Sequence, residues 1–452
     1  MSLKFCIVYD ESEVKNMSKE QVITAIDLGS DKCTTLISRV TELNKLQVLG
    51  FSVVPSRGMK RSMIIDLEQV LNTISQGLDA AERMAGFSVK NTVVSISGVH
   101  IKYKNSRGVV AVAASDQEIV QSDVDRVIEA ARAVSMPTDR EIIHVIPKDF
   151  KVDSQDGVKD PVGMTGVRLE AEAHIITGLT TAMRNLEKCI NDIGIKVDAF
   201  VFSALAASQI ALTETEKELG AVLVDIGAGT TSMVAYVEGT LEFSAVLPIG
   251  AKHITQDIAL GCRIPMDDAE KLKLYLTDNG VDDLRPYPGE SKADFTKRKR
   301  KLDLIDPEKV GIAHNDFLSK KTLTGGIMEP RIREIFNLVM QELEKADLLS
   351  GNKIPAGLVL TGGGAMTAAL TEVAKKVTNL PVRIAYPEDI EGLTEDIKKP
   401  NFAVSVGLLN HALKQGNVTA VSEDFNWRSL VPKDLFKNIF SKLKKATKSI
   451  LP

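Results

Sequence analysis

Apolar and polar positions begin to alternate regularly at Val22, and from there short runs of β-formers are followed by helix-like segments. Residues 1–20 hold one brief apolar patch, Phe5–Tyr9, and then a polar stretch, and read as a flexible N-terminal extension. Apolar residues at helical spacing over Asp66–Met84 predict a crossover helix. A second β-rich unit runs from Asn91 to about Leu169, with a helix expected near Ser122, where Ser122-x-x-Asp125 resembles a capping box. Helix signals return at 183–193, 204–212, 251–260 and 267–276, with a strand pair at 221–237. The stretch 279–306, rich in charge, Gly and Pro, reads as a solvated loop that carries the basic run Lys297–Lys301. A long helix is expected after Pro330 and a strand at Gly357–Leu360, and the polar segment 414–426 reads as a linker to a final helix.

The most informative feature is a repeat. Ile23-Thr24-Ala25-Ile26-Asp27-Leu28-Gly29-Ser30 leads through a polar turn into a strand, and Val222-Leu223-Val224-Asp225-Ile226-Gly227-Ala228-Gly229-Thr230 does the same. Each copy is a buried strand ending in Asp and a turn of small residues. Glycines in such turns permit positive φ and let backbone N–H groups approach an anion with no Cβ in the way. An anion held between the two turns meets donors from both sides, and Asp27 and Asp225 are placed to hold a hydrated Mg²⁺. Two core hairpins with turn glycines are the plainer explanation, and duplication in matching context weakens it. A third element, Leu358-Val359-Leu360-Thr361-Gly362-Gly363-Gly364, offers bare backbone against which a base and ribose can lie. No P-loop sequence exists, and Ser232 stands where a Rossmann fingerprint needs its third glycine.

Composition adds bounds. With 452 residues the chain exceeds what one core fills, about 250–300 residues. A net charge of −4 gives no whole-molecule attraction to nucleic acid. Cys6, Cys33, Cys189 and Cys262 lie far apart with no metal-ligand spacing, which with no signal-peptide pattern argues for a reducing cytoplasm. No apolar run reaches the roughly 20 residues that span a bilayer.

The chain end is chemically distinct. Taken as a helix, Leu435, Phe436, Ile439, Phe440 and Leu443 fall within an arc of about 140°. Lys437, Lys444 and Lys445 lie on the other side, and Trp427 precedes the helix. From Arg428 onward there are seven basic residues and one acidic, about +6. That suits a helix lying in the headgroup region of anionic membrane lipids. Docking on the protein body or on a partner is the other reading.

The order Asp turn, Asp turn, glycine turn resembles the superfamily of actin, DnaK-type chaperones and sugar kinases. His144-Val145-Ile146-Pro147-Lys148-Asp149-Phe150, Asp160-Pro161-Val162-Gly163-Met164-Thr165-Gly166 and Glu329-Pro330-Arg331 resemble the FtsA family of bacterial cell-division proteins. The resemblance implies an α/β, actin-like two-lobed ATPase fold, with an inserted α+β subdomain in the first lobe and a C-terminal amphipathic helix. Its expected parts are a first lobe at 21–89, the insert at 90–168 and the first lobe again at 169–219. The second lobe follows at 220–249, its outer subdomain at 250–330, and the second lobe again at 331–390. A return to the first lobe at 391–413, the linker 414–426 and the membrane helix 427–452 complete the chain. ATP and Mg²⁺ are the implied cofactors, with phosphate held by Asp27, Gly29, Ser30, Asp225, Gly227, Gly229 and Thr230. Adenosine would meet Gly362, Gly363, Gly364, Glu270 and Lys273, though a surface ion pair explains Glu270 and Lys273 equally well.

The resemblance also implies self-association into a protofilament, contact of Arg331 and Arg333 with the C-terminal tail of FtsZ, and recruitment of downstream division proteins. The implied place is the cytoplasmic face of the cell membrane at the division site, with no nucleic-acid partner. Arg331 and Arg333 are otherwise ordinary surface-helix charges. The Gln or Glu that orients the attacking water in actin-like ATPases is missing, since Phe200–Ser208 offers only serines. Serine is a weak base without a partner, so hydrolysis is expected to be slow at most, with Asp27 or Asp225 ordering water through Mg²⁺. A small-molecule kinase and a pilus-assembly relative are the rival readings, and neither has a use for the terminal helix.

Overall fold

In the computed structural model the described residues are 20–113, 117–279, 286–312, 317–388, 390–392, 394–416 and 419–421. The Phe5–Tyr9 patch and the whole expected membrane helix, from Trp427 on, lie outside them.

Two mixed sheets carry the molecule, and they share one plan. In the first lobe the strands run in the order Leu46–Pro55, Lys32–Val40, Glu20–Leu28, Asn91–Ile96, Lys196–Phe202. The second lobe repeats this with Thr240–Leu247, Thr231–Val237, Ala221–Ile226, Gly357–Thr361, Val382–Ile384. In each, the first three strands are an antiparallel meander and the last two run parallel to the strand that ends in Asp. The repeat visible in the sequence is therefore the centre of a five-stranded repeat whose outer strands have diverged.

Helices Ser203–Ala211 and Ala403–Gln415 fill the space between the sheets. Leu205, Ala206, Val406 and Leu409 pack there in one buried core with Ala25 and Leu36 of the first sheet and Leu223 and Val234 of the second. Both helices are apolar around most of their circumference, as burial on two sides requires. The helix Leu67–Ala85 crosses the other face of the first sheet, capped by Asp66, whose carboxylate accepts from Gln69 N at 3.1 Å.

The insert is a four-stranded antiparallel sheet, Lys102–Ala111, Arg168–Leu179, Arg140–Val152 and Gln155–Val158, with the helix Gln121–Arg132 on one face. The boundary expected at 168/169 falls at the start of the strand Arg168–Leu179, which belongs to the insert's sheet. The helix cap also differs from expectation: Asp123, fully buried, accepts from Val120 N and Ala113 N, and Ser122 does not cap.

Although the insert grows out of the first lobe, it leans on the second. Lys148, 6 % exposed, donates to Glu172 of the insert at 2.8 Å and to Glu242 of the edge strand Thr240–Leu247 at 2.7 Å. His174 lies between Asn105 at 2.7 Å and Ser244 at 2.9 Å, with Tyr103 stacked on its ring at 4.9 Å. The edge strand is thereby covered, which removes an unpaired sheet margin from solvent.

Two further expectations are corrected. Within 279–306, read as a loop, residues Lys292–Asp303 form a helix with no buried residue, started by the Ser291 hydroxyl accepting from Asp294 N. Its solvated basic face gave no apolar period, so hydrophobic patterning could not find it. Part of the polar linker 414–426 is also structured: the last helix among the described residues runs to Gln415, and Thr419–Val421 pairs with Glu20–Val22 as a further strand of the first sheet. Strand pairing there comes from backbone hydrogen bonds, which polarity does not oppose.

Candidate functional site

A cleft of about 680 Å³ opens between the lobes. Asp27, Gly29, Ser30, Asp225, Gly227, Gly229, Thr230, Gly362, Gly363, Gly364, Glu270 and Lys273 all line it. The two turns are superposable in their bonding: Gly29 N donates to Lys32 O at 3.0 Å, and Gly227 N donates to Thr230 O at 2.9 Å. Each follows its Asp by two residues, so each Asp stands at the carboxyl end of a central strand, facing the cleft from its own lobe.

In the two Asp-bearing turns glycine serves space and not handedness. Of the glycines in the three turns only Gly362 has positive φ, +83°. A Cβ on Gly229 would sit 2.9 Å from Ser30 Oγ, and one on Gly227 would sit 3.1 Å from Thr230 O. The lobes meet at the turn tips. Ser62 N donates to Ser30 Oγ at 2.8 Å, and the Ser62 and Thr230 hydroxyls lie 3.1 Å apart, so one residue spans both turns.

Two carboxylates sharing one partly dry cleft disturb each other. Burial pushes the Asp225 carboxyl up to about 7, the Asp27 charge adds to that, and Lys32 opposes it. Asp27 is also raised, by burial, against the Ser95 hydroxyl, which donates to Asp27 Oδ1 at 2.7 Å, and against the Lys32 charge. Burial lowers the Lys32 ammonium, and the Asp27, Asp225 and Asp31 charges hold it up. Such an excess of buried negative charge suits a hydrated divalent cation, which would restore both groups to the ionised form.

Lys32 was not singled out from the sequence, although aligning the two copies finds it. It lies five residues past Asp27, as Thr230 lies five past Asp225. Its ammonium donates to Asn401 O at 2.9 Å, and the Asn401 Oδ1 atom is buried with no protein partner beside the glycine turn. Asn401, Ser62 and Ser95 arrive from distant segments and carry no local signal. Glu270 and Lys273 form the expected ion pair at 2.7 Å and also share Thr255 Oγ1, at 2.6 and 2.9 Å. The pair lines the cleft as well, so the two readings of these residues are compatible.

Arg331 and Arg333 lie away from the cleft on the helix Glu329–Lys345. Arg331 grips Asp257 through Nε at 2.7 Å and Nη2 at 3.0 Å and also pairs with Glu334. Arg333 pairs with Glu329 at 2.7 Å.

Residues 98–177 match the family model described as the SHS2 domain inserted in FtsA, and residues 222–407 match that of the cell division protein FtsA. The cell division protein FtsA of Pseudomonas aeruginosa is 36 % identical over 395 residues, 87 % of this chain and 90 % of its own. This chain belongs to the FtsA family. The Neisseria meningitidis relative is 36 % identical over 88 % of this chain and 92 % of its own, and the Escherichia coli relative 33 % over 89 % and 93 %. Membership of this cell-division family fits an actin-like body with an insert in its first lobe. In fold the chain also resembles a solved PilM–PilN type IV pilus biogenesis complex, with a TM-score of 0.58 at 15 % identity, over 86 % of this chain and 98 % of that one.

Proposed function

We propose that this FtsA-family chain binds ATP with Mg²⁺ in the interlobe cleft, assembles into protofilaments and tethers FtsZ to the cell membrane. One observation carries the nucleotide reading: two matched Asp-bearing turns face one another across a single cleft that a third, glycine turn closes. Backbone N–H groups of the turns and the Ser30 and Thr230 hydroxyls would take the phosphates, with Lys32 as their counter-charge. Asp27 and Asp225 would hold the hydrated metal, which supplies charge neutralisation between the phosphates. The side-chain-free Gly362–Gly364 backbone and the unpartnered Asn401 acceptor fit a base and ribose. Because these groups belong to both lobes, nucleotide would stabilise the closed arrangement by mass action.

The membrane and FtsZ parts rest on the sequence and the family. The basic, apolar-faced segment after Trp427 would bind anionic lipid reversibly as a monomer and firmly as a polymer, through multivalency. Arg331 and Arg333, on the second lobe, are the residues assigned to the FtsZ tail. Their intramolecular carboxylate partners would have to be exchanged for those of the tail.

Equilibrium binding of ATP in the presence of Mg²⁺, to the wild-type chain and to Asp225→Asn, tests the cleft. Tight binding lost in the variant supports the reading, and no binding by the wild type overturns it. Co-sedimentation with anionic vesicles, with and without residues 427–452, tests the tether. An acidic FtsZ tail peptide titrated against Arg333→Glu tests the partner surface.

A further inference from the structure

Ser203, one of the serines in the stretch that lacks the usual water-orienting side chain, is not isolated. Ser97 and Ser232 hydroxyls lie 2.9 Å apart, and the Ser203 hydroxyl donates to Ser232 Oγ at 3.5 Å. All three line the cleft, and Ser203 and Ser232 are only 4 % and 2 % exposed. Their placement follows from the topology. Ser232 is the cross-strand partner of Asp225, and Ser97 follows by two residues the Ser95 that bonds Asp27. Ser203 begins the helix that leaves the strand beside Asn91–Ile96. The cluster therefore lines the cleft, with Ser232 beside Asp225 and Ser97 two residues along the chain from the serine that bonds Asp27.

We propose that Ser97, Ser203 and Ser232 together hold and orient the water that attacks the terminal phosphate, which makes the chain a slow nucleotide hydrolase. This rests on the nucleotide reading above. Each hydroxyl has one hydrogen to donate and two lone pairs. The two hydrogen bonds within the cluster use two hydrogens, which leaves one donor and four acceptor positions. A water can thus be held by several partners and its oxygen fixed in direction.

None of the three is a base at neutral pH, so the substrate takes the proton. The water oxygen forms a bond to the terminal phosphorus as the bond from that phosphorus to the bridging oxygen breaks. ADP leaves with the electron pair. The water's proton passes to a serine oxygen while that serine's own proton moves to an oxygen of the transferred phosphate, so nothing accumulates on the protein. Orientation without a base gives up much of the about 10²–10⁴-fold that a positioned acid or base contributes. A slow rate is the direct consequence.

Single-turnover release of inorganic phosphate from ATP, beside equilibrium binding of a non-hydrolysable ATP analogue, tests the cluster. Ser232→Ala and Ser203→Ala are each expected to slow release by about tenfold or more while analogue affinity changes less than about twofold. Ser232→Thr, which keeps the hydroxyl, restores the rate. Ser203→Gln, placing a carboxamide at the same wall, raises it about tenfold. In an analogue-bound crystal structure an ordered water bonds at least two of the three hydroxyls. Unchanged rates in both alanine variants overturn the proposal. So does silence of wild type and Ser203→Gln alike when the analogue binds. If the analogue fails to bind the wild-type chain, the nucleotide reading falls first and this one with it.

Discussion

Gly362 abuts Asp225 on the neighbouring strand: a Cβ on Gly362 would lie 2.3 Å from Asp225 Oδ1. The residue also has φ +83°, which a side chain disfavours. Gly362→Ala is therefore expected to cost roughly 2 kcal/mol or more of stability and to abolish ATP binding, read by thermal melting and calorimetry. For the stability effect alone Gly363→Ala is the control, because a Cβ there would have Asn401 Cβ as its nearest neighbour, 3.8 Å away, and its φ is not positive.

Asp225 makes the ligand-free chain sensitive to pH. Its folded pKa, about 7, lies above the ordinary carboxyl value of 3.8, so the folded state binds the extra proton. The stability this confers is complete below about pH 4 and is lost as pH rises through 7, by at most about 1.4 kcal/mol per pH unit. Asp225→Asn should therefore melt higher than wild type at pH 8 and equal it at pH 4, without nucleotide.

The same proton would compete with the proposed cation. Mg²⁺-dependent nucleotide affinity should rise with pH up to about 7, by as much as about tenfold per unit, and level off above it. Titration calorimetry in buffers of different ionisation enthalpy would report the released proton. A flat affinity between pH 5.5 and 7 would contradict the assignment of Asp225 to the metal.

Acid should weaken the fold elsewhere. Burial, then the His411 and His174 charges, push His144 down to about 3, and burial with the Lys148 charge does the same to His174. His144 Nε2 accepts from Phe202 N at 3.1 Å, a bond that protonation would remove. With folded values below the unfolded 6.5, stability is full above that pH and falls as pH drops toward 3. Each group costs about 2 kcal/mol by pH 5. Denaturant titrations at pH 7 and 5 should differ accordingly, and His174→Asn should remove its own share.

The insert's hold on the second lobe depends on Lys148. Glu242→Ala leaves that ammonium, 6 % exposed, with Glu172 as its remaining carboxylate partner. The change should cost about 1–3 kcal/mol and speed amide exchange across 240–247, measured by mass spectrometry. Lys148→Met with Glu242→Gln, which removes the charges together, should cost less than the single change.

The chain's own residues were enough to reveal the two matched Asp-bearing turns that line the cleft. Asp27-Leu28-Gly29 and Asp225-Ile226-Gly227 are local patterns of a strand, a carboxylate and a small turn, and they recur. Glycine turn 362–364 was legible for the same reason. Local chemistry also gave the crossover helix from Asp66, whose capping residue and apolar period agree. It failed for Lys292–Asp303, where a helix with no buried face has no period to read, and for Thr419–Val421, a strand of three residues too short to show one.

What only the tertiary structure decided is which distant groups share a volume. Ser95 beside Asp27, Ser62 between Ser30 and Thr230, Asn401 behind Lys32 and the hydroxyls of Ser97, Ser203 and Ser232 are each ordinary residues in their own segments. Parallel strand pairing and crossover connections bring them to one cleft, and nothing within a few residues of any of them encodes that meeting. The pKa of Asp225 belongs to the same class, since burial and the charge of a carboxylate 198 positions away set it. Sequence determines what each residue can do chemically, and the packed fold determines which residues do it together.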